Sequence, residues 1–487
     1  MNQSVCYDFS SLTDAVLAAE RAEIDLAISS LDGSLAERRA TGSFYTPADV
    51  AEHFWREYLC FHGIATREQA LRHLMEVQFV EPAVGAGMFL FSLLKQLTKL
   101  GCSPQDLSAV RFAAADINEA ALAFVSRQVG HIEGRSSVRL GGLTLHQADF
   151  REFAVPQGVH VSFVGNPPYV REESKAKWRN LYATFLDRMI SLPSKRVSIS
   201  LILPLSIAFS RDYASLRERV RQWGQAIRLV NFDNIPDCLF KVGKPGSLNT
   251  NRANSQRCSV LFLRNHGVPS MEASELQRWS RKERARFLTA APHYRDISEY
   301  GFDGQFPRPS CDWIMGYLRG AEEARQFRDL LGRGRHAFAV APVARNFIGI
   351  REAASSDESY LLTFPDERRM LWALQILSST VFYEYWRTVG DGFHVTRSDI
   401  ERFPVTGRIL RSCAEHEFHA RARWAARDAS ARQKLNSGKE VFSFDFRGQF
   451  DYLAECVTAP NDPGDDTDFF PLPRRSMQKT LLGFTTT

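Results

Sequence analysis

The chain has 487 residues, 44% of them hydrophobic and 24% charged, with 30 Gly and 21 Pro. That length implies two or three domains, and the composition excludes a disordered, collagenous or coiled-coil chain. Lys and Arg number 61 against 56 Asp and Glu, so the net charge of +5 neither demands nor excludes a nucleic-acid partner. The eight Cys form no Cys-x-x-Cys pair and the His show no regular ligand spacing. Neither a disulfide framework nor a metal is therefore expected, and a reducing cytoplasm fits. Met1–Ser10 lacks a basic stretch followed by an apolar one, and no apolar run nears the ~20 residues of a membrane helix.

In chain order, residues 1–40 read as a helical arm, with Leu12, Val16, Ala19, Ile24, Ile28 and Leu31 at near-helical spacing. From about 77 to 265, short apolar runs alternate with helical segments: 77–80, 111–115, 159–164, 198–203, 227–232 and 259–263. This alternation predicts an α/β domain with a mostly parallel, buried sheet, which with the segment from 41 spans 41–265. The polar stretch Lys244–Gln256 reads as a long loop inside it. A charge-dense linker is expected over 266–292 and a separate second domain over 293–411, including an apolar helix at 370–387. The remainder, 412–487, reads as an extension with a polar helix near 414–435 and an acidic tail at 460–468.

The run Phe79-Val80-Glu81-Pro82-Ala83-Val84-Gly85-Ala86-Gly87 closes the first predicted strand and opens a helix. Two glycines permit a tight turn and a close backbone approach to a ligand, although a plain strand-to-helix turn also reads this way. The third glycine of a dinucleotide fingerprint is missing. Glu81 would repel a pyrophosphate and suits a ligand with a cationic amino end. Asp116, ending the second strand candidate, stands where such folds bind ribose hydroxyls, or where an acid caps the next helix. Asp149 and Phe150 follow a further apolar run and could meet an adenine by hydrogen bond and ring face.

The most specific feature is Asn166-Pro167-Pro168-Tyr169, directly after Val164-Gly165. Two prolines fix the backbone and remove two donors, leaving carbonyls that only accept. With the Asn166 side-chain carbonyl they suit a planar amino group, and Tyr169 offers a flat face to the ring that carries it.

Together these motifs resemble the adenine amino-methyltransferases of DNA that use S-adenosylmethionine, and their order is that of the gamma class of restriction–modification methylases. The upstream segment Thr41-Gly42-Ser43-Phe44-Tyr45-Thr46-Pro47 resembles the one that closes over the methionine end of the cofactor in that class. The resemblance covers 41–265 well and 290–411 loosely. It implies a Rossmann-like seven-stranded sheet with a C-terminal target-recognition domain. Residues implied to bind S-adenosylmethionine are Tyr45, Thr46, Glu81, Pro82, Gly85, Gly87, Asp116, Ile117, Asp149 and Phe150. The catalytic set is Asn166, Pro167, Pro168 and Tyr169, with Tyr169 and Phe240 stacking on the flipped base. Val84 and Ala86 replace the frequent Cys and Ser of the turn, and the loop after Phe240 is longer than usual.

Residues 171–257 hold 16 Lys or Arg against 7 Asp or Glu, directly after the tetrapeptide. Double-stranded DNA is therefore the expected partner, with Arg171, Lys175 and Lys177 near its backbone and Arg397, in the closing segment Gly392–Pro404, in the second domain. A solvated basic face would give the same count. A restriction endonuclease or other defence-system subunit is a further expected partner. The same tetrapeptide occurs in enzymes that methylate RNA or protein glutamine, and a subunit dependent on a separate specificity partner also remains open.

Overall fold

The computed structural model describes residues 46–458, apart from 137, 157–158, 173–175, 194–195, 241–255, 300–303, 322–323, 345, 354–358 and 437–438. The expected helical arm, Tyr45, Lys175, nearly all of the 244–256 loop and the acidic tail lie outside the described residues. The chain divides into two compact units, one running to Met315 and including Glu384–Phe393, the other comprising Gly316–Tyr383 and the residues from His394.

The first unit is a mixed α/β layer structure around a large, mostly parallel sheet. Its strands are β1 (Val77–Glu81), β2 (Phe112–Asp116), β3 (Leu143–Gln147), β4 (His160–Gly165), β5 (Val197–Pro204), β6 (Ala226–Phe232), β7 (Cys258–Arg264), β8 (Ser270–Gln277) and β9 (Tyr294–Asp296). Their order across the sheet is β3-β2-β1-β4-β5-β7-β6-β8-β9. Strands β1 to β5 pair in parallel, while β7 runs antiparallel between β5 and β6. The six apolar runs of the sequence all became strands here.

Nine strands replace the seven expected. The extra two come from or border 266–292, where β8 pairs in parallel with β6 and β9 antiparallel with β8. That stretch is therefore sheet, not linker. Its charge concealed it, because in Ser-Met-Glu-Ala-Ser-Glu-Leu-Gln polar residues hide the few apolar ones that are buried.

Helix α1 (Ala48–Phe61) supplies much of the packing against this sheet. Phe54, Trp55 and Tyr58 are fully buried. Trp55 meets Phe79 edge-on at 5.5 Å, and its indole N–H donates to the Phe89 carbonyl at 2.8 Å. Phe89 belongs to α3 (Met88–Lys99), which packs beside α1 and follows α2 (Arg67–Glu76) in the chain. Each such aromatic contributes about 1.5–3 kcal/mol through the area it removes from water. Every residue of β5 is buried, as expected of a central strand covered on both faces.

The amino-terminal edge of the sheet carries four histidines. His62 follows α1, His73 sits in the last turn of α2, His160 opens β4 and His266 follows β7. Ring centroids lie 5.1 Å apart for His62–His73, 6.2 Å for His73–His160 and 4.8 Å for His160–His266. The Tyr58 hydroxyl bonds His73 Nε2 at 2.8 Å, and His160 Nε2 bonds the Ser198 hydroxyl at 2.9 Å. Burial, reinforced by mutual repulsion and by Arg196, lowers His73 to about 4 and His160 to about 3.

The second unit contains a five-stranded antiparallel sheet in the order β13-β11-β12-β16-β15. Between the first unit's strands and these comes β10 (Arg325–Gln326); then β11 (His336–Val340), β12 (Ile350–Arg351), β13 (Tyr360–Phe364), β14 (Pro404–Val405), β15 (Ala431–Asn436) and β16 (Lys439–Phe444). Short strands β10 and β14 pair separately. The residues expected to form a polar helix at 414–435 instead end one helix, form a second (Glu417–Ala425) and enter β15. Since β16 pairs with β12 through Ile350 and Phe444, residues beyond 412 are integral to this unit rather than an extension. The helix expected over 370–387 is interrupted at Ser379, whose extended backbone (ψ 157°) separates Glu367–Ser378 from Thr380–Val389.

Candidate active site

In an open parallel sheet, ligands bind outside the carboxyl ends of the strands, where the strand order reverses. Here the reversal falls between β1 and β4. Glu81 ends β1, and Gly165 ends β4 immediately before the Asn166 tetrapeptide. Gly165 has φ 139°, and a Cβ on it would lie 3.3 Å from Glu81 Cγ. The two motifs singled out in the sequence thus abut.

The turn after β1 needs both its glycines. Gly85 and Gly87 have φ of 51° and 75°, and a Cβ on Gly87 would stand 2.9 Å from the Phe91 ring and 3.0 Å from Val125 Cγ2. Asp116 shapes the same turn: its Oδ2 accepts from the Gly85 amide and its Oδ1 from the Asn118 amide, both at 2.9 Å. Asn118, not Asp116, caps the following helix. With the Ile117 amide also bonded to it, the carboxylate keeps one acceptor position for an incoming hydroxyl. Next to Asp116, Ile117 is 66% exposed, an apolar side chain left open beside the turn.

Glu81 is 1% exposed, and its Oε2 has no hydrogen-bond partner among the described residues. Burial, assisted by the negative charge of Asp116, holds its carboxyl well above the usual range. A buried acid in this state awaits a cationic or donating partner.

Thr46 precedes α1 and is 7% exposed. The Asn166 Nδ2 donates to its hydroxyl at 3.3 Å, joining the upstream segment to the tetrapeptide. This bond orients the Asn166 amide, so its carbonyl end is turned away from Thr46. The Pro167 carbonyl accepts no backbone hydrogen bond among the described residues. Tyr169 is fixed by its hydroxyl, which donates to the Ile202 carbonyl at 3.0 Å. Its ring lies 6.1 Å from Tyr182 and 6.3 Å from Phe240, both in edge arrangements. Phe240 therefore comes beside Tyr169 from the segment after β6.

Two expected contacts differ. Phe150 is 1% exposed, packed on Phe185 at 4.9 Å and edge-on to Phe163 at 5.8 Å. It is a core residue with no open face for an adenine, because Phe163, Phe185 and Phe153 (6.4 Å) converge on it. Asp149 receives the Arg151 guanidinium at 2.6–3.1 Å, which also lowers its pKa. A ligand amino group would share that carboxylate with Arg151.

Much of the basic excess after the tetrapeptide is paired within the unit. Lys177 bonds Asp187 at 2.8 Å, and Arg179 meets Asp212 at 3.3 Å. Arg171, two residues past Tyr169, is exposed and its side chain makes no hydrogen bond or ion pair among the described residues. In the second unit Arg397 bonds Glu401 at 2.7 Å, one turn along a short helix.

Arg284 escaped the sequence reading. It is 5% exposed, and its guanidinium donates to Asp49 and to the carbonyls of Cys238 and Leu239. Nothing distinguished it within the charged run Arg278–Arg286, since burial and partners are set only by the fold.

No known protein-family profile matches the chain, and no curated protein matches it. Among solved structures it is similar to the type IIL restriction–modification enzyme MmeI in complex with DNA, at 12% identity over 88% of this chain and 78% of that one, with a TM-score of 0.48. It is also similar to a modification subunit of a putative type I restriction enzyme from Vibrio vulnificus YJ016 (16% identity, 61% of this chain, 62% of that chain, TM-score 0.38). A third is DrdV in its DNA complex (14% identity, 64% of this chain, TM-score 0.40), of whose chain this one spans 36%.

Proposed function

We propose that the chain is a methyltransferase dependent on S-adenosylmethionine. Its target, in the same proposal, is the exocyclic amino group of an adenine flipped out of duplex DNA, within a restriction–modification or related defence system. The observation that carries this reading is the meeting of Asn166, Pro167 and Tyr169 with Thr46 and Glu81 at one strand-order reversal.

The residues fit the cofactor. Glu81 would hold its amino group and Thr46 its methionine end, Asp116 would accept from the ribose, and exposed Ile117 would be covered by the adenine. Gly85 and Gly87 leave room for backbone contact, with Pro82 in the same turn. When bound, S-adenosylmethionine supplies an electrophilic methyl group on its sulfonium sulfur. The chain's own residues hold the acceptor. The Asn166 and Pro167 carbonyls take the two amino hydrogens of the target, drawing the nitrogen toward a tetrahedral shape and localising its lone pair. Tyr169 and Phe240 hold the ring, compensating part of the few kcal/mol that unstacking costs. Positioning of this kind can supply much of the rate. Arg171, exposed and two residues past the tetrapeptide, would take a phosphate contact.

The raised pKa of Glu81 gives the cofactor step a sign. An ammonium beside it favours the ionised carboxylate, so binding draws a proton off and affinity rises with pH. Calorimetry of S-adenosylhomocysteine in buffers of different ionisation enthalpy should show proton release on binding, and Glu81→Gln should lose it. Binding to the wild-type chain without proton release would contradict this role.

The direct test is expression in a methylation-free host followed by modified-base sequencing. The expected result is one modified adenine in a defined motif. Unmodified DNA together with methylated RNA or protein would replace the substrate with one of the alternatives.

A further inference from the structure

Arg284 occupies a place in the first unit that packing alone does not require. Its Nε donates to Asp49 Oδ2 at 2.7 Å and its Nη2 to Asp49 Oδ1 at 3.2 Å. The same guanidinium donates from Nη1 to the Cys238 carbonyl at 3.0 Å and from Nη2 to the Leu239 carbonyl at 2.7 Å. Asp49 lies in the first turn of α1, three residues beyond Thr46. Cys238 and Leu239 directly precede Phe240.

These bonds complete a ring of contacts. Asn166 bonds Thr46; Thr46 leads to Asp49; Asp49 is forked to Arg284; Arg284 holds the two carbonyls before Phe240; and the Phe240 ring lies 6.3 Å from Tyr169, three residues from Asn166. Only the arginine of this pair is buried, the Asp49 side chain being 39% exposed, so the pair is weak evidence of a stabilising role: desolvating the guanidinium offsets much of what the attraction returns. A planar five-donor fork is, however, well suited to fixing a carboxylate and two carbonyls in one geometry.

We infer that Arg284 is a positioning residue that couples Thr46 and the start of α1 to Cys238–Phe240, so that occupation of the cofactor side fixes the Phe240 ring for the target base. This inference rests on the proposed methyltransferase reading. Coupling of this kind is reciprocal: whatever cofactor binding does for the clamp, base capture does for cofactor affinity.

The test is hydrogen exchange of the segment 233–240 in the full chain, with and without S-adenosylhomocysteine, whose binding is followed separately by calorimetry. In the wild-type chain the ligand should slow exchange of this segment at least about fivefold. In Asp49→Asn the ligand should still bind, but the slowing should fall to less than about 1.5-fold, and Asp49→Glu should restore it. Should Asp49→Asn fold poorly because it leaves a lone buried guanidinium, the double variant Asp49→Asn with Arg284→Gln removes both charges together. A merely structural role would speed exchange equally with and without ligand, leaving the ratio unchanged. If S-adenosylhomocysteine binds and the wild-type segment does not respond, or the variants respond as fully as wild type, the coupling is refuted while the methyltransferase reading stands. If the wild-type chain gives no binding heat at all, that reading fails and the coupling with it.

Discussion

Asn166→Ala is expected to fold, to bind S-adenosylhomocysteine and to lose methyl transfer by roughly 10²–10³-fold or more, the range for removing one oriented hydrogen-bonding group from a reacting centre. The residue is half-buried at the end of β4, and its side chain makes a bond to Thr46 of only 3.3 Å, so truncation removes little packing. Under the proposed function, what it removes is one of the two acceptors for the target amine. The Pro167 carbonyl remains, which limits the loss of binding and concentrates the effect in turnover. Asn166→Asp is the informative companion, since it keeps two acceptor oxygens and should retain more activity than Ala. Turnover of Asn166→Ala within a few-fold of wild type would show that the tetrapeptide is a turn and no more.

The second large effect is on stability. His73 and His160 have folded pKa values of about 4 and about 3, below the ordinary 6.5, because burial opposes their charged forms and their neighbours are cationic. As pH falls, the unfolded chain therefore takes up protons before the folded one. Their stabilising contribution is complete above about pH 6.5 and is lost progressively toward pH 4. At pH 5 each accounts for about 2 kcal/mol, on the order of 4 kcal/mol together, against a total stability of 5–15 kcal/mol typical of a domain. His266, lowered to about 4 but more exposed, adds less, and Glu76 beside it works in the opposite sense. Urea unfolding at pH 7 and pH 5 measures the difference. Replacing His160 by Gln should shrink it, and a stability equal at the two pH values would mean that the histidines protonate as readily in the folded chain as in the unfolded one.

The parts of this fold legible in the sequence were those whose signal is local. Six apolar runs became six strands because a strand covered on both faces is mainly apolar, as in Val197–Pro204, which is buried throughout and carries only Ser198 and Ser200 as polar residues. Gly85, Gly87 and Gly165 were legible in part, and positive φ explains each. What stayed hidden depends on partners distant in the chain. Strand β8 looks charged because Glu272 and Glu275 are interspersed with its few buried apolar residues. The Phe150 ring looked like a stacking face until Phe163 and Phe185, 13 and 35 residues onward, closed around it. The basic stretch after Tyr169 looked like a DNA footprint by count, yet Asp187 and Asp212 neutralise several of its members in place. Charge is a property of sequence, but whether it faces outward is one of packing.

The reversed direction of β7 has a consequence for how such a chain can change length. β6 ends at Phe232 and β7 begins at Cys258, and these two residues are partners in the sheet. The connection between them therefore leaves from and returns to the carboxyl edge, beside Tyr169, with its two ends already held together by the sheet. Lengthening a loop whose ends are fixed costs only about 0.6 kcal/mol per doubling. Segments joining parallel strands must instead travel the length of the sheet and carry a helix on the way. Residues inserted between β6 and β7 would be delivered to the carboxyl edge of the sheet while the strands beneath keep their register. The fold thus offers a site where new recognition elements can be acquired by insertion at little cost to the scaffold.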